Sequence, residues 1–173
     1  MPQRSRTPSP DSSFLDLVHA IVVGDATKAA QLADNSPALV HARAAVGATR
    51  KAAESHFFEA IAHYMYEGDT ALHMAAAGFK PAITQALIDR GAECSAKNRR
   101  GAEPRGRNNS GSTPLHLAVQ NTGRGGSGTP HAIEQQKQII ELLLRAGARP
   151  DDKDANGKAV RDAVTAEWIR ALF

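Results

Sequence analysis

The chain has 173 residues, of which 42 % are hydrophobic but only 5 % aromatic, and it carries 21 basic against 18 acidic side chains. The length suffices for one domain with a continuous core, and so mild a charge excess demands no nucleic-acid or acidic partner. One cysteine, Cys94, excludes an intramolecular disulfide and fits a reducing compartment, while no apolar run approaches the ~18 residues of a membrane span.

Residues 1–11 read as a disordered tail: the first ten include three prolines and no large apolar side chain beyond Met1. The tail is basic, but it lacks the apolar stretch of a secretory signal. Ser12 and Ser13 are placed to cap a helix from about Phe14, on which Phe14, Leu17, Val18 and Ile21 recur at helical spacing. Gly24-Asp25 breaks that pattern, and a second helix runs from about Thr27 to Ala33, before Asn35-Ser36-Pro37. These two helices form a capping unit, 12–46. Gly47-Ala48-Thr49-Arg50 resembles a turn that opens a new unit, yet a similar turn follows at Gly68. Between them, in an inserted segment 50–66, Glu54 to Met65 reads as an extra helix with Phe57, Phe58, Ile61 and Tyr64 or Met65 on one face.

From Gly68 the pattern is regular. Gly68-Asp69-Thr70-Ala71-Leu72-His73-Met74-Ala75 leads into a helix capped by Thr70 and running to about Ala77. Pro81 suits the first turn of the next helix, which turns Ile83, Leu87 and Ile88 inward and ends at Gly91. The repeat spans 68–100, and Gly68 and Gly101 are 33 residues apart. A start at Gly101-Ala102-Glu103-Pro104 breaks off into Arg105-Gly106, and a second start follows at Gly111-Ser112-Thr113-Pro114-Leu115-His116. The irregular stretch 101–110 is either an insertion or the scar of lost repeats. The repeat 111–156 has a short first helix to about Gln120, a glycine-rich linker, and a second helix from Thr129-Pro130 to Gly147. A C-terminal cap, 157–173, closes the chain, with Thr165 placed to cap a helix bearing Trp168, Ile169 and Leu172.

The Gly-x-Thr-x-Leu-His motif, its near-copy and the 33-residue spacing resemble the ankyrin-repeat family. The resemblance covers about residues 12–173 and implies an all-α solenoid of stacked helix-turn-helix units with short hairpin or turn tips. Its motif residues are Thr70, Leu72, His73, Thr113, Leu115 and His116. In that family the threonine and histidine are structural, bonding within and between neighbouring tips. The family's usual activity, non-catalytic binding of another protein through the tips and the concave inner-helix face, is the function the resemblance implies. The small, free-standing form is similar to bacterial members, which implies a cytoplasmic location, and a monomer is expected. The abundant alanines suit closely packed helices on their own account.

Several features touch on other chemistry. Asp152-Lys153-Asp154-Ala155-Asn156-Gly157 matches the first half of a calcium loop, but Ala163 stands where a bidentate glutamate belongs. Gly123 to Gly128 is spaced like a phosphate-binding loop, with Thr129 in place of its lysine. His56 and His63 would share a helical face, but no zinc-type spacing accompanies them. No cofactor, metal or catalytic residue is therefore expected. The alternatives are an enzyme or metal protein on an ankyrin frame, and a repeat-deleted remnant without a specific partner. Lys97, Arg99, Arg100, Arg105 and Arg107 crowd eleven residues. Aromatics for base stacking are missing from 80 to 167, so nucleic acid is not the expected partner. Phe79, Arg99, Arg100, Arg105 and Arg107 are the candidate protein-binding residues, since aromatics and arginines dominate interface energies.

Overall fold

A computed structural model describes residues 10–49, 51–98, 111–120 and 128–173. Helices α1 (Pro10–Val23) and α2 (Ala26–Asn35) pack as a pair, followed by the short α3 (Ala38–His41). Helices α4 (Ala71–Ala77) and α5 (Pro81–Asp89) form the second pair, and α6 (Pro114–Ala118) and α7 (Pro130–Arg145) the third. The first helices stack in the order α1, α4, α6, and the second helices in the order α2, α5, α7. Each pair thus leaves an apolar face that only the next pair covers, which makes the core one continuous row rather than a central globule. Two short helices, α8 (Val160–Ala163) and α9 (Glu167–Arg170), end the row.

The local signals explain most boundaries. The Asp25 carboxylate accepts the Lys28 backbone N–H at 2.9 Å and starts α2. Pro81 and Pro130 each sit in the first turn of a helix, where the missing N–H costs nothing. The Thr129 hydroxyl caps α7 by accepting from the Ala132 N–H at 3.2 Å. Gly91, at φ +84°, stops α5 in a left-handed turn that a side chain would strain. All seven residues of α4 are buried, so a helix of about two turns has no solvent face at all. Part of the extra length of the third unit goes into α7, 16 residues long against 9 for α5.

Three expectations from the sequence are corrected. First, α1 begins at Pro10, not near Phe14. Ser12 and Ser13 are interior, and residues 10 and 11 belong to the helix rather than to a tail; proline is well suited to open a helix. Second, Thr165 does not cap the last helix. Ala166 occupies that position and contributes no side-chain bond. Third, no helix forms over Glu54 to Met65. The segment holds two three-residue 3-10 turns, Glu54–His56 and Glu59–Ile61, and an antiparallel pair of two-residue strands, β1 (Phe57–Phe58) and β2 (His63–Tyr64). Its ends are tied together: the Met65 N–H donates to the His56 carbonyl at 2.9 Å, and the Ala48 N–H to the Met65 carbonyl at 2.8 Å. A straight helix of that length would separate its ends by about 18 Å. The aromatic residues that mimicked a helical stripe meet instead across the strands, Phe57 opposite Tyr64.

The inserted segment, a strap over 51–66, lies against the first helices. The Phe58 ring meets His19 of α1 edge-on at 5.6 Å, and Ile61 approaches the end of α4 so closely that a Cβ on Gly78 would stand 2.8 Å from its Cγ2. Gly47, at the strap's root, allows a similar approach: a Cβ there would stand 2.1 Å from the Glu67 nitrogen.

Candidate functional site

Thr70 and His73 form a reciprocal cap on α4. The His73 N–H donates to the Thr70 hydroxyl at 3.4 Å, and the Thr70 N–H donates to His73 Nδ1 at 3.2 Å. Because Nδ1 accepts a backbone hydrogen, the proton of the neutral ring sits on Nε2. That nitrogen donates to the Ser112 carbonyl of the next tip at 3.0 Å. Thr113 and His116 repeat the arrangement one unit further on: Thr113 N–H to His116 Nδ1 at 3.1 Å, and Nε2 to the Lys158 carbonyl at 3.3 Å. Each imidazole therefore spans from its own helix cap to the tip that follows. Burial holds His73 down at about 4, because a charged ring there would be cut off from water, and the nearby Arg43 guanidinium opposes the second proton as well. His116 is lowered for the same first cause. Leu72 and Leu115 are fully buried beside these pairs.

A second tier of polar residues joins the tips. Asp69 is buried; its Oδ2 accepts the Tyr66 N–H at 2.7 Å and its Oδ1 accepts from Asn98 Nδ2 at 3.0 Å. Asn98 Oδ1 accepts the Ser112 N–H at 2.9 Å, while the Asn98 N–H donates to the Ser112 carbonyl at 3.0 Å. Arg43 reaches from the first unit to the Lys97 carbonyl at 2.7 Å, and Lys97 Nζ reaches the Lys153 carbonyl at 2.8 Å. The tips are thus laced along the whole row by side chains that end on the neighbour's backbone. Burial raises Asp69 to about 7 against the pull of its two donors. Both of its oxygens act as acceptors, so an amide in its place would set a donor against a donor. Asp69→Asn, although isosteric, is expected to cost about 2 kcal/mol in urea unfolding; an unchanged midpoint would remove Asp69 from the lacing.

The candidate binding residues fare differently. Arg99, Arg100, Arg105 and Arg107 lie outside the described residues, as does the question of what residues 101–110 are. Phe79 sits in the turn between α4 and α5, at the far end of α4 from Thr70, with φ +49°. It is half-buried against the core and borders a groove of about 350 Å³ that Val23, Lys80, Pro81 and Ile83 also line. The inner side of α4, expected to be an open binding face, is covered, and the strap's Ile61 abuts its C-terminal end.

His56 and His63 share no helix. His63 is placed on β2 and His56 in the preceding turn. Among the described residues no group of three or more His, Cys, Asp or Glu side chains is arranged to hold a metal ion. Asp154, in the calcium-like stretch, accepts the Asn156 and Lys158 N–H groups at 2.8 and 2.9 Å, which makes an ordinary tight turn. Most of the phosphate-loop-like stretch lies outside the described residues, and Thr129 is occupied as the cap of α7. No described helix is long and apolar enough to cross a membrane.

Stacked helical pairs whose hydroxyl, imidazole and carboxamide groups lace successive tips define a repeat protein of the solenoid class. A family model of ankyrin repeats in three copies matches residues 15–154, and the chain belongs to the ankyrin-repeat family. Proteins of this family are generally protein–protein interaction modules. No curated protein matches the chain.

Sequence reasoning missed Asp69, Asn98, Ser112 and Arg43. Their one signal is position: Asp69 and Ser112 both occupy the residue between the tip glycine and the threonine. That spacing identifies the site but not the carboxylate-to-amide pairing across tips.

Proposed function

We infer that the protein is a non-catalytic, cytoplasmic binding module that recognises another protein as a monomer. The observation that carries this reading is the use of Thr70, His73, Thr113 and His116: every one is spent on bonds within and between tips. Side chains so engaged fix a row of turns in register, which is what a pre-formed binding surface requires. The basic run of the sequence supplies charge for an acidic partner surface, through Arg99, Arg100, Arg105 and Arg107. Phe79 supplies an apolar anchor at the other end of α4.

Affinity capture with the full chain from cells of its source, followed by titration of the purified partner, tests this. Arg99→Glu with Arg100→Glu is expected to weaken binding at least tenfold and to flatten its salt dependence. Phe79→Asn, which keeps a residue tolerant of positive φ, is expected to weaken it without unfolding the chain. Unchanged affinity at all salt concentrations for the double reversal would remove the basic run from the interface.

A further inference from the structure

The strap differs from the rest of the row in how it is held. Its only regular pairing is two residues against two, and Ala62 turns the chain at φ +48° without being a glycine. Of its side chains only Met65 is fully covered, whereas α4 beneath it is buried throughout. Segments with few buried contacts open locally at a fraction of the global cost.

One polar atom in the strap is out of balance. His63 Nε2 is shielded from solvent and has no hydrogen-bond partner among the described residues. An unpaired buried nitrogen weighs against the closed state even when neutral, and far more when it takes a proton. The groups that face His63 offer that proton no counter-charge. From the strap's own end comes the Tyr66 ring at 6.2 Å, and from α4 comes the buried imidazole of His73. The Asp69 carboxylate is taken up by the Tyr66 N–H and the Asn98 amide, the Arg43 charge acts on His73, and neither figures among the causes of the His63 shift. His19 of α1 meets Phe58, the strand partner of His63.

We propose that the strap over 51–66 is a proton-operated cover, which lifts from α1 and from the end of α4 when His63 is protonated and leaves the stacked helices in place. Lifting frees Nε2 to water, releases Phe58 from His19 and Ile61 from Gly78, and uncovers the inner side of the first two units. The closed strap holds His63 down to about 4, and burial alone is the cause. In the lifted strap the ring returns to its ordinary value near 6.5. The sign follows: the contribution of His63 to closure is complete above about 6.5 and is lost as the pH falls towards 4. The device does not depend on the identity of any partner.

Amide hydrogen exchange on the full chain tests the cover directly, after correction for the intrinsic effect of pH. The Ala48 and Met65 amides, which close the strap, are expected to exchange about 20-fold faster at pH 5 than at pH 7 relative to the intrinsic rate. The amides of α5 and α7 should change much less. In His63→Gln, which keeps a polar side chain but cannot titrate in this range, the strap amides should lose that dependence. His63→Phe serves as a second non-titrating variant, and the wild-type slope of one proton per opening supports the proposal even if neither variant folds. Strap amides that exchange only with the helices, at one common rate, would overturn it. So would a pH response of equal size in His63→Gln.

Discussion

Replacing His73 with leucine is expected to destabilise the protein by about 3 kcal/mol. Leucine fills the site without a cavity, so the loss isolates the polar bonds. It strands the Thr70 N–H and the Ser112 carbonyl, which His73 satisfies at 3.2 and 3.0 Å in a fully buried position. Each buried group left unsatisfied costs about 1–3 kcal/mol, against a total stability of about 5–15 kcal/mol for an ordinary domain. The effect carries a pH signature. Because His73 is held down to about 4, its contribution is complete above the unfolded value near 6.5 and is lost as the pH falls towards 4, by about 3 kcal/mol over that span. Asp69 acts in the opposite sense. Its raised value means that ionisation opposes folding, so its contribution improves as the pH falls through 7. The difference between wild type and His73→Leu separates the two, since Asp69 is present in both. The gap between the two denaturation midpoints should be widest above pH 6.5 and should close towards pH 4. A gap that did not vary with pH would mean that the imidazole is not held neutral in the fold.

The second large effect is expected from Leu72→Ala. Leu72 has no exposed surface and lies on a helix that is covered on every side. Removing its branched end leaves a space that the neighbouring helices can close only by sliding along the stack. Truncations of this kind cost about 2–5 kcal/mol. Leu115, at the matching position of the next unit and equally buried, should respond by a similar amount. Unfolding in urea checks both; a loss under about 1 kcal/mol at either site would contradict the continuous core. The pair also tests coupling. If the units are interdependent, each variant should unfold in one transition at a lower midpoint.

The parts of this fold that were legible in the sequence are those where one residue does one local job. Thr70 and Thr113 announce helix starts, Pro81 and Pro130 mark first turns, and Gly91 marks a stop; each needs only its own neighbours in the chain. The strap was illegible for the opposite reason. Phe57, Phe58, Ile61 and Tyr64 fit a helical stripe, and nothing local says that Ala48 will tie down Met65 and bring the ends of the segment together. Tertiary tethering decided the matter, and it turned the same side chains into cross-strand neighbours. The lacing of the tips lay between these extremes. The histidines were visible through their motif, but the Asp69–Asn98–Ser112 chain joins residues distant in sequence. A carboxylate in a turn gives no hint that its partner is the amide of another turn. The start of α1 at Pro10 shows that a proline-rich composition can hide a helix's opening residue.

Trp168 offers the most direct test of the claim that the imidazoles hold the units together. It is the only tryptophan, and it lies half-buried on α9 at the last turn of the row, far along the chain from His73. In His73→Leu, urea unfolding followed by Trp168 fluorescence and by far-ultraviolet circular dichroism should give coincident curves, both shifted to a lower midpoint by the same amount. A Trp168 transition that stayed at the wild-type midpoint while the helical signal fell at lower urea would show that the units stand or fall separately, and that His73 does not bind them into one structure.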